Sequence, residues 1–180
     1  MDKSMQLKFA AIETSLDHLL ADLSKLPAEV LQKKPKPNAW SVLDILQHLM
    51  IAERGSFAYV KKKTSYPESL EEAGIADHYR KFRLYIFLRL PIKVNAPAVV
   101  NETQFDQNIS FEKLVADWRA IRNELKDFLN LAPAEWNSKL TYRHGFAGRM
   151  TFDGMLMFFR DHLQRHIKQI DQTLAIVGRN

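Results

Sequence analysis

HGFAGRMTFDGMLMFFRDHLQRHIKQI, residues 144–170, is the stretch whose reading decides the fold. Thr151 is a good helix N-cap, Asp153 places an acidic group in the first turn, and Gly178 marks an end near Val177. Between these signals Met155, Phe158, Phe159, Leu163, Ile167 and Leu174 recur at helical spacing on one arc, with Arg160, Asp161, Gln164, Arg165, Lys168 and Asp171 opposite. The spacing therefore predicts a long amphipathic helix. His162 and His166 stand four residues apart within its apolar arc. They share a direction, and that direction is the interior. Two imidazoles on an apolar face need partners. A divalent metal would satisfy them, and so would a hydrogen-bonded core pair or a water-filled crevice.

Three more segments carry the helical period, and none shows a persuasive strand alternation. In the first, Met5, Phe9, Ile12, Leu16, Leu19 and Leu23 form one face, closed by Leu26 and Pro27. The second follows the proline-broken run KKPKP at 33–37. It opens at Ser41, with Asp44 as the acidic partner of a capping-box-like start, and extends to about Lys63. Its face is Val42, Ile45, Leu49 and Ala52, with His48 beside it. The third begins after Ser110 and carries Leu114, Val115, Trp118, Ile121, Leu125 and Phe128 up to Pro133. Between the second and third, SLEEAGIADHYRKFRLYIFLRL reads as one or two shorter helices broken by Gly74 and Pro91, and IKVNAPAVVNETQF as an extended crossover. SKLTYRHGFAGRM joins the last two helices. Four long helices with one long crossover, in a single domain spanning 1–180, predict an all-α four-helix bundle.

Composition narrows the chemistry. The chain has no cysteine, so disulfides, thiolate zinc sites, iron–sulfur clusters and cysteine nucleophiles are excluded, and any metal must sit on nitrogen and oxygen. No run of about 18 apolar residues spans a membrane, and the N-terminal stretch lacks a signal-peptide core, which predicts a cytoplasmic protein. The net charge of +5 is scattered apart from KKPKP and the KKK at 61–63, which falls where cations complement a helix C-terminus. No nucleic-acid motif accompanies it, so a nucleic-acid partner is not expected.

At this point the chain resembles a family. Trp40-Ser41-Val42-Leu43-Asp44, then His48-Leu49 and Glu53, is similar to the opening of the second helix in the DinB superfamily, and residues 144–170 are similar to its closing segment. Asp44 stands where glutamate is common, a change that concerns the helix start; Lys93 and Pro97 fit the long crossover of DinB-like proteins of this size. The resemblance implies an up-up-down-down bundle, usually dimeric, with the long crossover between helices two and three. It also implies a divalent metal held by one histidine of the second helix and the pair of the fourth, which places the ligands here at His48, His162 and His166. Taken singly, His48 reads as a buried or boundary histidine.

Three neutral imidazoles leave a coordination position open, the pattern of a catalytic site. Zinc or nickel is expected first, with iron or manganese also able to fit. Such an ion suits hydrolysis of a small electrophile, and the resemblance adds transfer to a low-molecular-weight thiol such as bacillithiol or mycothiol as cosubstrate. The other reading is a non-catalytic, stress-related helical module whose metal only ties helices together. His144, on a Gly-containing loop before the last helix, is either the acid/base of the first reading or a surface histidine. Glu53 points away from His48 and suits a supporting or helix-pairing role; Trp40 suits a hydrophobic plug. Arg149 and Arg165 are candidates for an anionic substrate or plain solvated charges, and His18 and His78 read as surface residues.

Overall fold

A computed structural model describes residues 1–90 and 100–178. The chain is predominantly helical: α1 (Lys3–Leu23), α2 (Ala28–Gln32), α3 (Val42–Thr64), α4 (Ile75–Arg89), α5 (Phe111–Leu131) and α6 (Phe152–Val177). Two short strands, β1 (Tyr142–His144) and β2 (Gly148–Met150), pair antiparallel in front of α6. The 91–99 part of the expected crossover, with Lys93 and Pro97, lies outside the described residues.

The start signals work as chemistry requires. Ser41 Oγ accepts from the Asp44 amide at 3.1 Å while Asp44 Oδ2 accepts from the Ser41 amide at 3.0 Å, a complete capping box. Asp44 in place of glutamate therefore closes the start of α3 fully. Ser110 and Thr151 cap α5 and α6 in the same way, each hydroxyl accepting from the third amide of its helix. The three lysines 61–63 sit in the last turn of α3, as their position on the dipole favours.

Packing revises the faces. On α1, Leu20 rather than Leu19 is buried. On α5, Arg122 is buried while Ile121 is only half-buried. Asp161 leaves the polar side of α6 for the interior, held by Arg89 and Arg160. The largest revision concerns α3, whose residues from Ser41 to Glu53 are buried on every side. Helices α2, α5 and α6 and strand β1 all pack against it. A helix surrounded in this way carries polar residues into the core, among them Gln47, His48 and Glu53.

Two elements were not legible as helix periods. The connection SKLTYRHGFAGRM is a hairpin, not a plain loop: Tyr142 faces Met150, Arg143 faces Arg149 and His144 faces Gly148. Gly148 has φ +92°, which a side chain rarely adopts. The five-residue α2 lies inside what reads as a linker. The single 15-residue α4, with Gly74 as its N-cap, packs along α6.

Candidate metal centre

Helix α3 brings His48 to the face of α6 that carries His162 and His166 one turn apart. All three are buried. Their Nε2 atoms converge: His48 to His162 is 3.1 Å and His166 to His162 is 3.0 Å. Each outer ring is held from behind. His48 Nδ1 lies 2.7 Å from the carbonyl of Val100, and His166 Nδ1 lies 2.8 Å from Oε1 of Gln169.

These partners fix the tautomers. A carbonyl oxygen only accepts, so Nδ1 of His48 carries the proton and its Nε2 presents a lone pair; the amide oxygen of Gln169 does the same for His166. Two lone pairs then face the single Nε2 of His162. One proton there can satisfy one of them, leaving the other short of a protein donor in the interior. A divalent cation accepts all three lone pairs at once. The backside hydrogen bonds are also what orients imidazole ligands in metal sites. The three histidines thus fit a metal by their own hydrogen-bonding chemistry, and their ligand atoms all lie within 4.8 Å of one another.

Electrostatics agree. Burial pushes His48 down, drives His162 well below the usual histidine range with help from the neighbouring rings, and takes His166 down to about 3. Neutral imidazole is the ligating form.

An aromatic wall surrounds the centre. Trp40 packs on His48 with ring centroids 4.9 Å apart and also meets Phe105. The plug at the helix start therefore touches the cluster itself, which its position in sequence did not reveal. Phe158 stacks on His162 at 4.9 Å with planes 19° apart. Phe158 also meets His144 edge-on at 4.6 Å. His144 thus stands one ring away from the three ligating candidates and outside their cluster. Its Nδ1 accepts from the amides of Phe146 and Ala147, both at 3.2 Å, so its proton sits on Nε2. Burial lowers it to about 4, which makes it a neutral N–H donor at pH 7.

The remaining candidates fall elsewhere. Glu53 has a helix-pairing role: its carboxylate accepts from Trp118 Nε1 at 2.8 Å and from Arg122 at 2.7 and 2.8 Å, tying α3 to α5. Arg122 reaches on to Glu13 of α1. Burial pushes the Glu53 carboxyl up while Arg122 and Trp118 pull it down. Arg149 pairs with Glu71, and Arg165 donates to the carbonyls of Leu88 and Leu90 at the end of α4. Both act within the fold. His18 and His78 are exposed, as read.

The model of the DinB superfamily matches residues 11–170, and so contains α3, α6 up to Ile170 and all three histidines. This chain belongs to the DinB superfamily. Neither a curated protein nor a solved structure matches it. Among the described residues no helix is long and apolar enough to cross a membrane.

Proposed function

We propose that this DinB-superfamily chain is a metal-dependent enzyme, a four-helix bundle in which His48, His162 and His166 hold one divalent ion, with zinc or nickel first in order of expectation. The observation that carries the reading is the convergence of three buried Nε2 atoms, two of them lone pairs fixed by their own backside hydrogen bonds. Bound there, the ion would supply Lewis acidity and lower the pKa of a water or thiol at its open position. The substrate is a small electrophile, and the reaction either hydrolysis or transfer to a low-molecular-weight thiol. A thiol would have to come from a cosubstrate, because the chain has no cysteine.

The chain's own residues set the terms of that chemistry. Trp40 and Phe158 shield two of the rings from water. His144, one ring away behind Phe158, keeps its proton on Nε2 because its other nitrogen is occupied by two amides, and would serve as a donor to an oxygen or leaving group. One observation favours the non-catalytic alternative: the buried carboxylates on α3 are already engaged, Asp44 in its capping box and Glu53 with Arg122, so neither is a free general base.

Metal content of tag-free protein tests the reading, with wild type set against His48→Ala and His166→Ala. About one ion per chain in wild type, lost in both variants with helicity retained, is the expected result. No ion after reconstitution with zinc, nickel or manganese would sink it. Chelation that abolishes turnover of small esters or thiol acceptors, while the fold persists, separates enzyme from tie-rod.

A further inference from the structure

The hairpin sets two arginines face to face. Arg143 of β1 and Arg149 of β2 are register partners, and both are exposed. Side chains directly opposite stand about 4.5–5.5 Å apart at Cβ, and like charges there are destabilising. A two-stranded sheet is marginal by itself, so the repulsion falls on a weak element. Packing does not ask for the pair. Alternation turns Tyr142 and Met150, the neighbouring register partners, into the core and both arginines away from it.

A third guanidinium joins them. Arg80 reaches over from α4 and donates from Nη1 to the carbonyl of Arg149 at 3.0 Å. It lies across Gly148, where a Cβ would stand 3.6 Å from its Nε. With Glu71, Leu140 and Gly148, the three arginines line one hollow of about 330 Å³. Its charges do not balance, since three guanidiniums meet one carboxylate and two positive charges are left over. Glu71 pairs with Arg149. Arg80 has only the neutral carbonyl, and Arg143 has no hydrogen bond or ion pair among the described residues.

The ligand follows from charge, shape and room. Guanidinium forks match phosphate bidentately, and two of these three are already oriented, Arg149 by Glu71 and Arg80 by the backbone. A phosphate monoester carries about −1.5 to −2 at pH 7, equal to the excess, whereas one carboxylate supplies half of it. Hollows that hold small molecules begin at about 300 Å³, so there is space for the group that carries the phosphate. A nucleic acid would need the basic surface to continue. It stops at once, because Glu72 already neutralises Lys139 beside Leu140.

We propose that the hollow between α4 and the β1–β2 hairpin binds the phosphate group of a small phosphate monoester, held by Arg80, Arg143 and Arg149. Arg143 weakens the free hairpin and serves the bound one. The site is separate from the metal centre: none of its lining residues is one of the three histidines or a ring packed on them.

Calorimetric titration of the full chain tests this, with inorganic phosphate and phenyl phosphate as probes and ionic strength held constant by sodium chloride. Both probes bind, and phenyl phosphate binds more tightly. Arg80→Gln and Arg143→Gln each weaken binding about tenfold or more. Lys126→Gln, at an exposed lysine of α5, changes nothing. Thermal unfolding gives a second readout. Without phosphate, Arg143→Gln melts at or above the wild-type temperature because a repulsion is relieved; phosphate then raises the midpoint of wild type more than that of the variant. Failure of both probes to bind at ~10 mM would overturn the proposal. So would binding that survives Arg80→Gln and Arg143→Gln together, which would place the anion elsewhere, the metal centre included. Binding of inorganic phosphate alone would overturn the ester in favour of the free ion, and a single-stranded oligonucleotide that displaces phenyl phosphate would overturn the small-molecule occupant. An Arg143→Gln chain that melts well below wild type without phosphate would show that the arginine serves the fold instead.

Discussion

Two polar clusters lie in the interior of this protein, five residues apart on α3, and they differ in kind. At Glu53 the charges close on themselves: the carboxylate accepts three hydrogen bonds from Trp118 and Arg122, and Arg122 passes on to Glu13. Only Nη2 of Arg122 and the Thr141 hydroxyl lack a partner among buried side-chain atoms of the described residues. At His48 the groups do not close. Three uncharged rings bring their Nε2 atoms together with too few protons to satisfy them. The first cluster ties α1, α3 and α5 together and, apart from Nη2 of Arg122, meets its charges from within the protein. The second has the donor set to take an added ion. Burial of polar groups alone does not mark a functional site; an unbalanced count of donors and acceptors does.

The largest expected effect breaks the closed cluster. Glu53→Ala leaves the guanidinium of Arg122 buried without its main counter-charge, so unfolding free energy measured in urea drops by about 3–5 kcal/mol. Metal stoichiometry stays unchanged, because the histidines do not touch it. A loss of metal with Glu53→Ala would show the two clusters to be one.

Next in size is completion of the open cluster. Metal at about 100 times its dissociation constant stabilises the wild type by about 2.7 kcal/mol, read as a rise in thermal midpoint. His162→Ala removes that gain. An equal gain in the variant would place the ion elsewhere.

The smallest effect concerns His144, which borders the open cluster. Its folded-state pKa of about 4 lies below the ordinary histidine value near 6.5. The unfolded chain therefore takes up the proton first, and His144 contributes stability that is present above pH 6.5 and lost as pH falls toward 4. Metal-free His144→Asn should lose less of its thermal midpoint than wild type between pH 7 and pH 5. Parallel pH profiles would mean that the ring is solvated.

Much of this arrangement was legible in the sequence. Ser41 with Asp44, Ser110 and Thr151 announce helix starts because capping needs a particular side chain at a particular place. His162 and His166 announce a shared direction because four residues nearly complete a turn. What failed to show was context. Arg122 and Asp161 look like surface charges on a helical wheel, and only partners from other helices, Glu53 and Arg89, make them interior residues. Trp40 reaches His48 through a bend in the chain before α3, which no period encodes. The hairpin was missed because strands of three residues are too short for alternation to register. Even so, Gly148, the partner of His144 across the strands, was a readable turn signal.

The carbonyl of Val100 grips His48 from behind and belongs to the far end of the long connection between α4 and α5. Whatever secures that carbonyl raises the basicity of the ring, and whatever binds the ring's other nitrogen strengthens its hold on the carbonyl. By reciprocity the two events must favour each other equally. Any affinity of the three histidines for an ion would therefore also gauge how firmly the returning chain is seated. A cargo or substrate that disturbs the chain at Val100 would be felt as a change in metal hold without touching any ligand.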